Sequence, residues 1–303
     1  MTTPTAPVTG RLDGRVAIIT GAGAGLGREH ALRLAAEGAR VVVNDLAPGD
    51  GRPDLAAAVA DEIAAAGGTA VAVHADVSDW QAAGGLIEST LQSFGRVDVV
   101  VNNAGVLRDA LLVAMDEAEW DDVMRVHLKG HAALSHHAGV HWRERSKRGD
   151  EVAASVVNTS STSGLFGNVG QANYAAAKAG IIGLTLTTAL ELERYGVRAN
   201  VLVPAARTAM TESVPALRVL MRAPEDPADF DPWHPAHVST YVAWLASATC
   251  PLNGSVVFAS GRAVRPVQTF FRTEGIAAVD APISVETLDE RLPGLVAALE
   301  PRA

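Results

Sequence analysis

The sequence predicts an α/β chain: a Rossmann-like, doubly wound parallel sheet of seven strands with helices on both faces. Three observations lead there. Short β-branched runs alternate with long alanine-rich segments. A glycine-rich turn, Thr20-Gly-Ala-Gly-Ala-Gly-Leu-Gly27, stands between the first such run and the first helical segment. The chain has 303 residues, 48% of them hydrophobic, which suffices to bury a sheet on both faces.

The elements follow in order. Val16–Thr20 is an unbroken apolar run of strand length, and the glycine turn leads from it into a helix over 25–38. Arg40–Asn44, Ala70–His74 and Val97–Val101 repeat the strand pattern, separated by helical stretches near 54–67 and 79–94. A long helix over 117–143 precedes the strand Ala154–Asn158, and another over 172–195 precedes Val197–Val203. A helix near 236–248 and the strand Ser255–Ala259 close the series.

Three regions depart from the alternation. Pro48-Gly-Asp-Gly-Arg-Pro53 lengthens the turn after the second strand. Thr208–Trp233 is long, and Pro224–Pro235 holds too many prolines for one helix, leaving a lid over a pocket or a plain surface loop. Residues 262–303 form a tail, with helical periodicity over Val285–Glu300 interrupted by Pro293. One domain over 1–303 is expected, with its core at about 12–261.

Composition narrows the function. A net charge of −9 argues against a general nucleic-acid binder, which is usually basic. The single cysteine, Cys250, forbids an internal disulfide and fits a reducing compartment. The start lacks a charged segment followed by an apolar one, so no signal peptide is expected. No membrane span is expected either, and the chain is expected to be cytoplasmic.

The glycine turn marks a cofactor site. Gly21, Gly25, Leu26 and Gly27 allow a tight turn and close backbone approach to a pyrophosphate drawn to the helix N-terminus. Asp45 ends the second strand, where a carboxylate accepts hydrogen bonds from an adenosine ribose and repels a 2′-phosphate. The turn has no basic residue before Gly27, and Arg28 heads into the helix, so NAD is expected rather than NADP. Asp76-Val77 after the third strand is a candidate for adenine contact. Asn102-Asn103-Ala104-Gly105 after the fourth fits a turn packed against the cofactor.

A proton-transfer set lies further on. Tyr174 and Lys178 are four residues apart, so a helix places them on one face, one turn apart. A free phenol, pKa about 10, is a poor base at neutral pH, and a nearby ammonium is expected to lower it. Ser161, thirteen residues upstream of Tyr174, supplies a hydroxyl to hold a substrate oxygen. His127, His131, His136, His137 and His141 share one expected helix, two pairs at i,i+4 spacing. With no cysteine or His-Glu-x-x-His arrangement beside them, no metal is expected. Trp142–Arg148 reads as a solvated helix end.

Together these motifs resemble the short-chain dehydrogenase/reductase family: Thr20-Gly-x-x-x-Gly-x-Gly27, Asp76-Val77, Asn102–Gly105, Ser161, Tyr174-x-x-x-Lys178, and Asn200 before Pro204. The resemblance covers about residues 12–261. It implies hydride transfer between a secondary alcohol or ketone and a nicotinamide cofactor. It further implies that Tyr174 is the acid–base, that Ser161 orients the substrate oxygen, and that Lys178 holds the nicotinamide ribose. Thr208 and Thr211 become candidates for the carboxamide. At the position of His127 most of the family carries an asparagine that supports a proton path, and imidazole's two nitrogens suit the same task. Pro204-Ala205 also departs from the family's frequent Pro-Gly.

Gly21–Arg28, Val41–Leu46, Val126–Gly130 and Gly167–Tyr174 look more narrowly like the (3R)-hydroxyacyl-CoA dehydrogenase part of type 2 peroxisomal multifunctional enzymes. An acyl-CoA substrate, and a place in lipid metabolism, follow from that likeness. Hydroxysteroids or other lipophilic secondary alcohols are the rival substrates. A non-catalytic NAD-binding sensor is the third reading. Arg108, Arg207, Arg218, Arg222, Arg262 and Arg265 are candidates for CoA phosphates. The family further implies a homodimer or homotetramer through the 117–143 and 172–195 helices.

Overall fold

In the computed structural model, residues 10–212, 215–226 and 228–268 are described. Strand β1 (Val16–Thr20) sits at the centre of the sheet, entirely buried. β2 (Arg40–Asp45) and β3 (Thr69–His74) lie on one side of it, and β4 (Val99–Asn102), β5 (Ala154–Thr159), β6 (Val197–Pro204) and β7 (Val256–Ala259) on the other. The order is β3-β2-β1-β4-β5-β6-β7-β8, parallel through β7. The chain reverses direction between β1 and β4, so the cleft beyond their carboxyl ends is the natural ligand site.

The eighth strand was not expected. β8 (Val264–Val267) pairs antiparallel with β7, so the first residues of the supposed tail join the sheet as its exposed edge. Pro266 within it suits an edge, where one side needs no ladder bonds. The Val285–Glu300 periodicity lies outside the described residues.

Helices α1 (Gly25–Ala36), α2 (Leu55–Ala65) and α10 (Pro235–Ala246) cover one face, around a core that includes Ile19, Leu34, Val43, Ile63 and Leu245. On the other lie α3 (Trp80–Phe94), α5 (Gly130–Lys147) and α7 (Ala172–Leu192), where Ile18, Leu86, Val100, Leu134 and Trp142 pack together. Asp54 and Asp79 cap α2 and α3 through their carboxylates, as the sequence spacing allows.

The expected helix over 117–143 is interrupted. α4 (Glu117–Met124), begun by an Asp116/Glu119 capping box, passes through a π-helical turn, Arg125–Lys129, into α5. Such bulges widen the helix and frequently stand at functional sites. The 208–233 stretch holds two short helices, α8 (Ala209–Glu212) and α9 (Pro215–Leu220), before turns that include the prolines. Ala172–Tyr195 is apolar and long enough to cross a membrane by composition alone. It is a core-packed helix here, with Ile181, Ile182, Thr185 and Ala189 buried along one stripe.

Candidate active site

The glycine turn is built for close approach. Gly21 and Gly25 have positive φ values of 61° and 55°, which favour glycine. A Cβ on Gly27 would fall 2.1 Å from the Gly21 carbonyl oxygen, and one on Gly23 2.7 Å from Asp45 Oδ2. The Leu26 side chain packs into the core, leaving its backbone to the turn. Asp45 accepts from the Gly23 N–H at 2.9 Å and the Leu46 N–H at 2.8 Å. Arg28 is engaged by Glu62, at 2.6 and 2.7 Å, and by Glu29.

The Asn102–Gly105 turn supports that loop from behind. Asn103 donates through Nδ2 to the Thr20 and Gly21 carbonyls, and the N–H groups of Asn103 and Ala104 both reach Thr20 Oγ1. Asn103 therefore fixes the glycine turn. Gly105 makes room for His127: a Cβ there would meet His127 Cε1 at 2.3 Å. Asp76 accepts from the Ser78 N–H and hydroxyl and from Arg125. Burial alone would raise its carboxyl, but these hydrogen bonds carry it below the usual range. The Val77 side chain is buried in the core, so only its backbone is left for a cofactor. Thr208 lies across from Gly25, and its N–H donates to Thr211 Oγ1 at 2.8 Å.

Ser161, Tyr174 and Lys178 converge at the ends of β5 and α7. Tyr174 and Lys178 lie on the buried stripe of α7, with Lys178 Nζ 5.5 Å from the Tyr174 ring centre. Lys178 is 2% exposed and donates to the Thr159 carbonyl oxygen at 2.7 Å. With no carboxylate paired to it, burial lowers its pKa to about 7. Ser161 caps the short helix α6 (Thr162–Phe166), its hydroxyl accepting from the Ser163 N–H at 3.2 Å. α6 packs tightly on α7, since a Cβ on Gly164 would lie 2.7 Å from the Lys178 backbone.

The phenol departs from expectation. Burial pushes the Tyr174 pKa above its usual value, Ser161 opposes this, and the charge of Asp109 adds to it. The expected lowering by Lys178 does not offset this, because burial brings the lysine's own pKa to about 7 and leaves it uncharged in the range where a phenol titrates.

His127 sits on the π-helical turn, buried, its ring edge-on to Tyr174 with centres 5.1 Å apart. Its Nε2 lies 2.8 Å from the Val106 carbonyl oxygen, while its Nδ1 is buried without a partner. Burial, aided by Lys178, lowers its pKa to about 3, so the ring is neutral at physiological pH. His131, one turn on, is likewise buried and held well below the usual range. His137 reaches the Trp80 carbonyl oxygen instead, and His141 is half-buried away from both.

Three supporting residues escaped the motif search. Asn173 is fully buried, donating to the Arg108 and Glu119 carbonyls and accepting from the Tyr174 N–H. Gln171 ties three loops together, and Arg125 braces Asp76. Asn173 and Gln171 lie within three residues of Tyr174, the one signal that pointed to them.

The profile of the short chain dehydrogenase family matches residues 15–218. The chain belongs to that family. Hydroxyacyl-CoA dehydrogenase ChsB1 of Mycobacterium tuberculosis is 48% identical over 254 residues, 82% of this chain and 78% of that one. Peroxisomal multifunctional enzyme type 2 of Drosophila melanogaster is 44% identical over 251 residues. That match covers 82% of this chain but 39% of the fly enzyme. A short chain dehydrogenase from Mycobacterium avium shares the fold at a TM-score of 0.84 and 44% identity, covering 95% and 96% of the two chains.

The dehydrogenase thus presents a site that suits a nicotinamide dinucleotide. The glycine cradle, in which a Cβ added at Gly21, Gly23 or Gly27 collides, fits a pyrophosphate, and Asp45 stands where a ribose hydroxyl would donate. When bound, the nicotinamide supplies the redox chemistry. The chain's own groups able to hold or move a proton there are the Ser161 hydroxyl, the Tyr174 phenol and the Lys178 amine.

Proposed function

We propose that the chain is an NAD-dependent 3-hydroxyacyl-CoA dehydrogenase. The observation that carries this reading is the Ser161–Tyr174–Lys178 constellation in a chain 48% identical to a hydroxyacyl-CoA dehydrogenase. NAD rather than NADP is favoured by Asp45 at the end of β2 and by Arg28, whose guanidinium is occupied by Glu62 and Glu29. An apolar acyl chain suits the exposed Leu111, Leu112, Val113, Phe166, Val169 and Phe230, all in connections leaving the carboxyl ends of β4, β5 and β6.

Some candidates for the CoA phosphates are already engaged: Arg108 is paired with Asp122 and Arg207 with Asp231. Arg218, Arg262 and Arg265 are exposed, as is Arg222, which approaches Glu225 at 3.6 Å. The apolar mouth serves a hydroxysteroid equally well, which keeps lipophilic secondary alcohols as the second reading.

A substrate panel following NADH absorbance separates them, with 3-hydroxyacyl-CoAs of graded length beside hydroxysteroids. Turnover of steroids alone would overturn the acyl-CoA reading. Tyr174→Phe is expected to abolish turnover while NAD affinity is retained; activity in this variant would refute the assignment of the acid–base.

We further propose one catalytic domain, a cytoplasmic location, and a homodimer or homotetramer. The groove between α5 and α7, lined by Trp80, His136, Val140, Leu190 and Tyr195, supports assembly through those helices. Light scattering that finds only monomer would exclude it.

A further inference from the structure

A polar chain around Tyr174 takes no part in the proton transfer described above. Gln171, buried just before α7, accepts at Oε1 from Ser163 Oγ and from Asn168 Nδ2, each at 2.9 Å. Its Nε2 donates to Asp109 Oδ2 at 3.0 Å. Ser163 donates its backbone N–H to Ser161 Oγ at 3.2 Å. The backbone holds the same crossing, since the Ala110 N–H donates to the Gly170 carbonyl oxygen at 2.9 Å and Ala110 bridges to Gln171. A carboxylate is therefore fixed at the outer end of a chain that finishes on the Ser161 hydroxyl.

That carboxylate has no cation set against it. Arg108, its neighbour in sequence, turns to Asp122 at 2.8 Å. Among the described residues no Lys, Arg or His forms an ion pair with Asp109. Its partner Gln171 is neutral, so the hydrogen bond orients Asp109 without cancelling it. The negative charge is felt at Tyr174, whose phenol it pushes up. A substrate carbinol must sit on that phenol, so a charge carried near the carbinol meets the same field.

We propose that Asp109, held by Gln171, is a specificity-determining residue that disfavours substrates with a carboxylate near the reacting carbinol and admits the neutral ester or thioester of the same acid. The proposal rests on the secondary-alcohol dehydrogenase reading and is independent of CoA. A free 3-hydroxy acid carries its carboxylate two bonds from the carbinol carbon, whereas in a thioester that position is uncharged. Like unit charges separated by the span of that hydrogen-bonded chain, on the order of 10 Å, at an effective dielectric between about 20 and 80, disfavour binding roughly 2- to 17-fold. Asp109 is exposed, so the effect is also subject to screening by salt.

The test uses the full chain with NAD and two probes, 3-hydroxybutyrate and its methyl ester. Asp109→Asn keeps an oxygen to accept from Gln171 and removes the charge. The ester-to-acid ratio of kcat/KM is expected to fall about tenfold in this variant at low salt, and clearly less at about 0.5 M salt. An unchanged ratio, or a change equal at both salts, would overturn the proposal, because a mere loop tether has no ionic-strength dependence. If neither small probe turns over, the Tyr174 phenol is titrated by ultraviolet difference against Tyr174→Phe. The charged or titratable groups about it are Lys178, His127 and Asp109. Asp109→Asn is expected to lower its midpoint, and an unmoved midpoint is equally fatal. Ester turnover without any turnover of 3-hydroxyacyl-CoA would instead refute the proposed substrate and leave Asp109's role standing.

Discussion

Gly27→Ala probes how tightly the cofactor turn is drawn. The added methyl would lie 2.1 Å from the Gly21 carbonyl oxygen and 2.7 Å from Asn103 Nδ2. Neither obstacle can step aside: one is backbone, and the other is pinned to the Thr20 and Gly21 carbonyls at 3.0 and 3.3 Å. Restoring van der Waals separation requires the start of α1 to retreat from Gly21 by roughly 1 Å or more. Overpacking of this kind costs about 1–3 kcal/mol, against about 1 kcal/mol returned by alanine's better helix propensity. The expected net loss of stability is up to about 2 kcal/mol. The same displacement moves the N–H groups that face the pyrophosphate, so the cofactor Kd should rise at least about tenfold, or 1.4 kcal/mol. Denaturant unfolding and cofactor titration by tryptophan fluorescence measure both. Gly85→Ala is the control: it lies within α3 with nothing inside 4 Å of the new methyl. It should gain up to about 1 kcal/mol with cofactor affinity unchanged. Wild-type stability and affinity in Gly27→Ala, or equal changes in the two variants, would refute the reasoning.

Asn173→Ala removes two hydrogen bonds that tie α7 to Arg108 in the loop after β4 and to Glu119 in α4, and a third that Asn173 accepts from the Tyr174 N–H, and should cost about 2–4 kcal/mol in a urea titration; a loss below about 0.5 kcal/mol would show that the loop re-forms its bonds. His30 and His127 titrate near 3 in the folded chain, against about 6.5 unfolded, so the unfolded state binds more protons between those values. Stability should therefore fall as pH drops from about 6.5 to 3, by up to about 1.4 kcal/mol per unit for each ring, and His30→Gln should flatten the slope. A wild-type urea midpoint that stays level over this window would contradict the burial argument. Lys178 works in the same direction at higher pH: its folded pKa of about 7 lies below the unfolded value, so stability rises with pH from there toward about 10.4. His127→Ala should lower kcat and alter its pH profile, because the ring stands edge-on to Tyr174; an undiminished rate with an unchanged profile would remove His127 from the proton path.

The strand series, its helices, the glycine turn and the Tyr174/Lys178 face were legible in the chain alone. Each is a local pattern: buried parallel strands read as apolar runs, and i,i+4 spacing fixes a helical face whatever it packs on. The edge strand β8 was not legible, because four residues containing a proline and an arginine become a strand only when β7 offers them a partner. The π-helical turn escaped for a similar reason, since an extra residue in one turn leaves no mark in the pattern of residue types. The direction of the Tyr174 pKa was misjudged because sequence shows a lysine nearby but not the depth of burial. Asp109 and Gln171 stand 62 residues apart and meet at 3.0 Å. What the sequence determined was which groups the chain owns and which helical face or strand end carries them. The tertiary structure decided which are desolvated, which are held by neighbours distant in the chain, and which charges stay uncompensated, because these depend on packing between elements that no local spacing encodes.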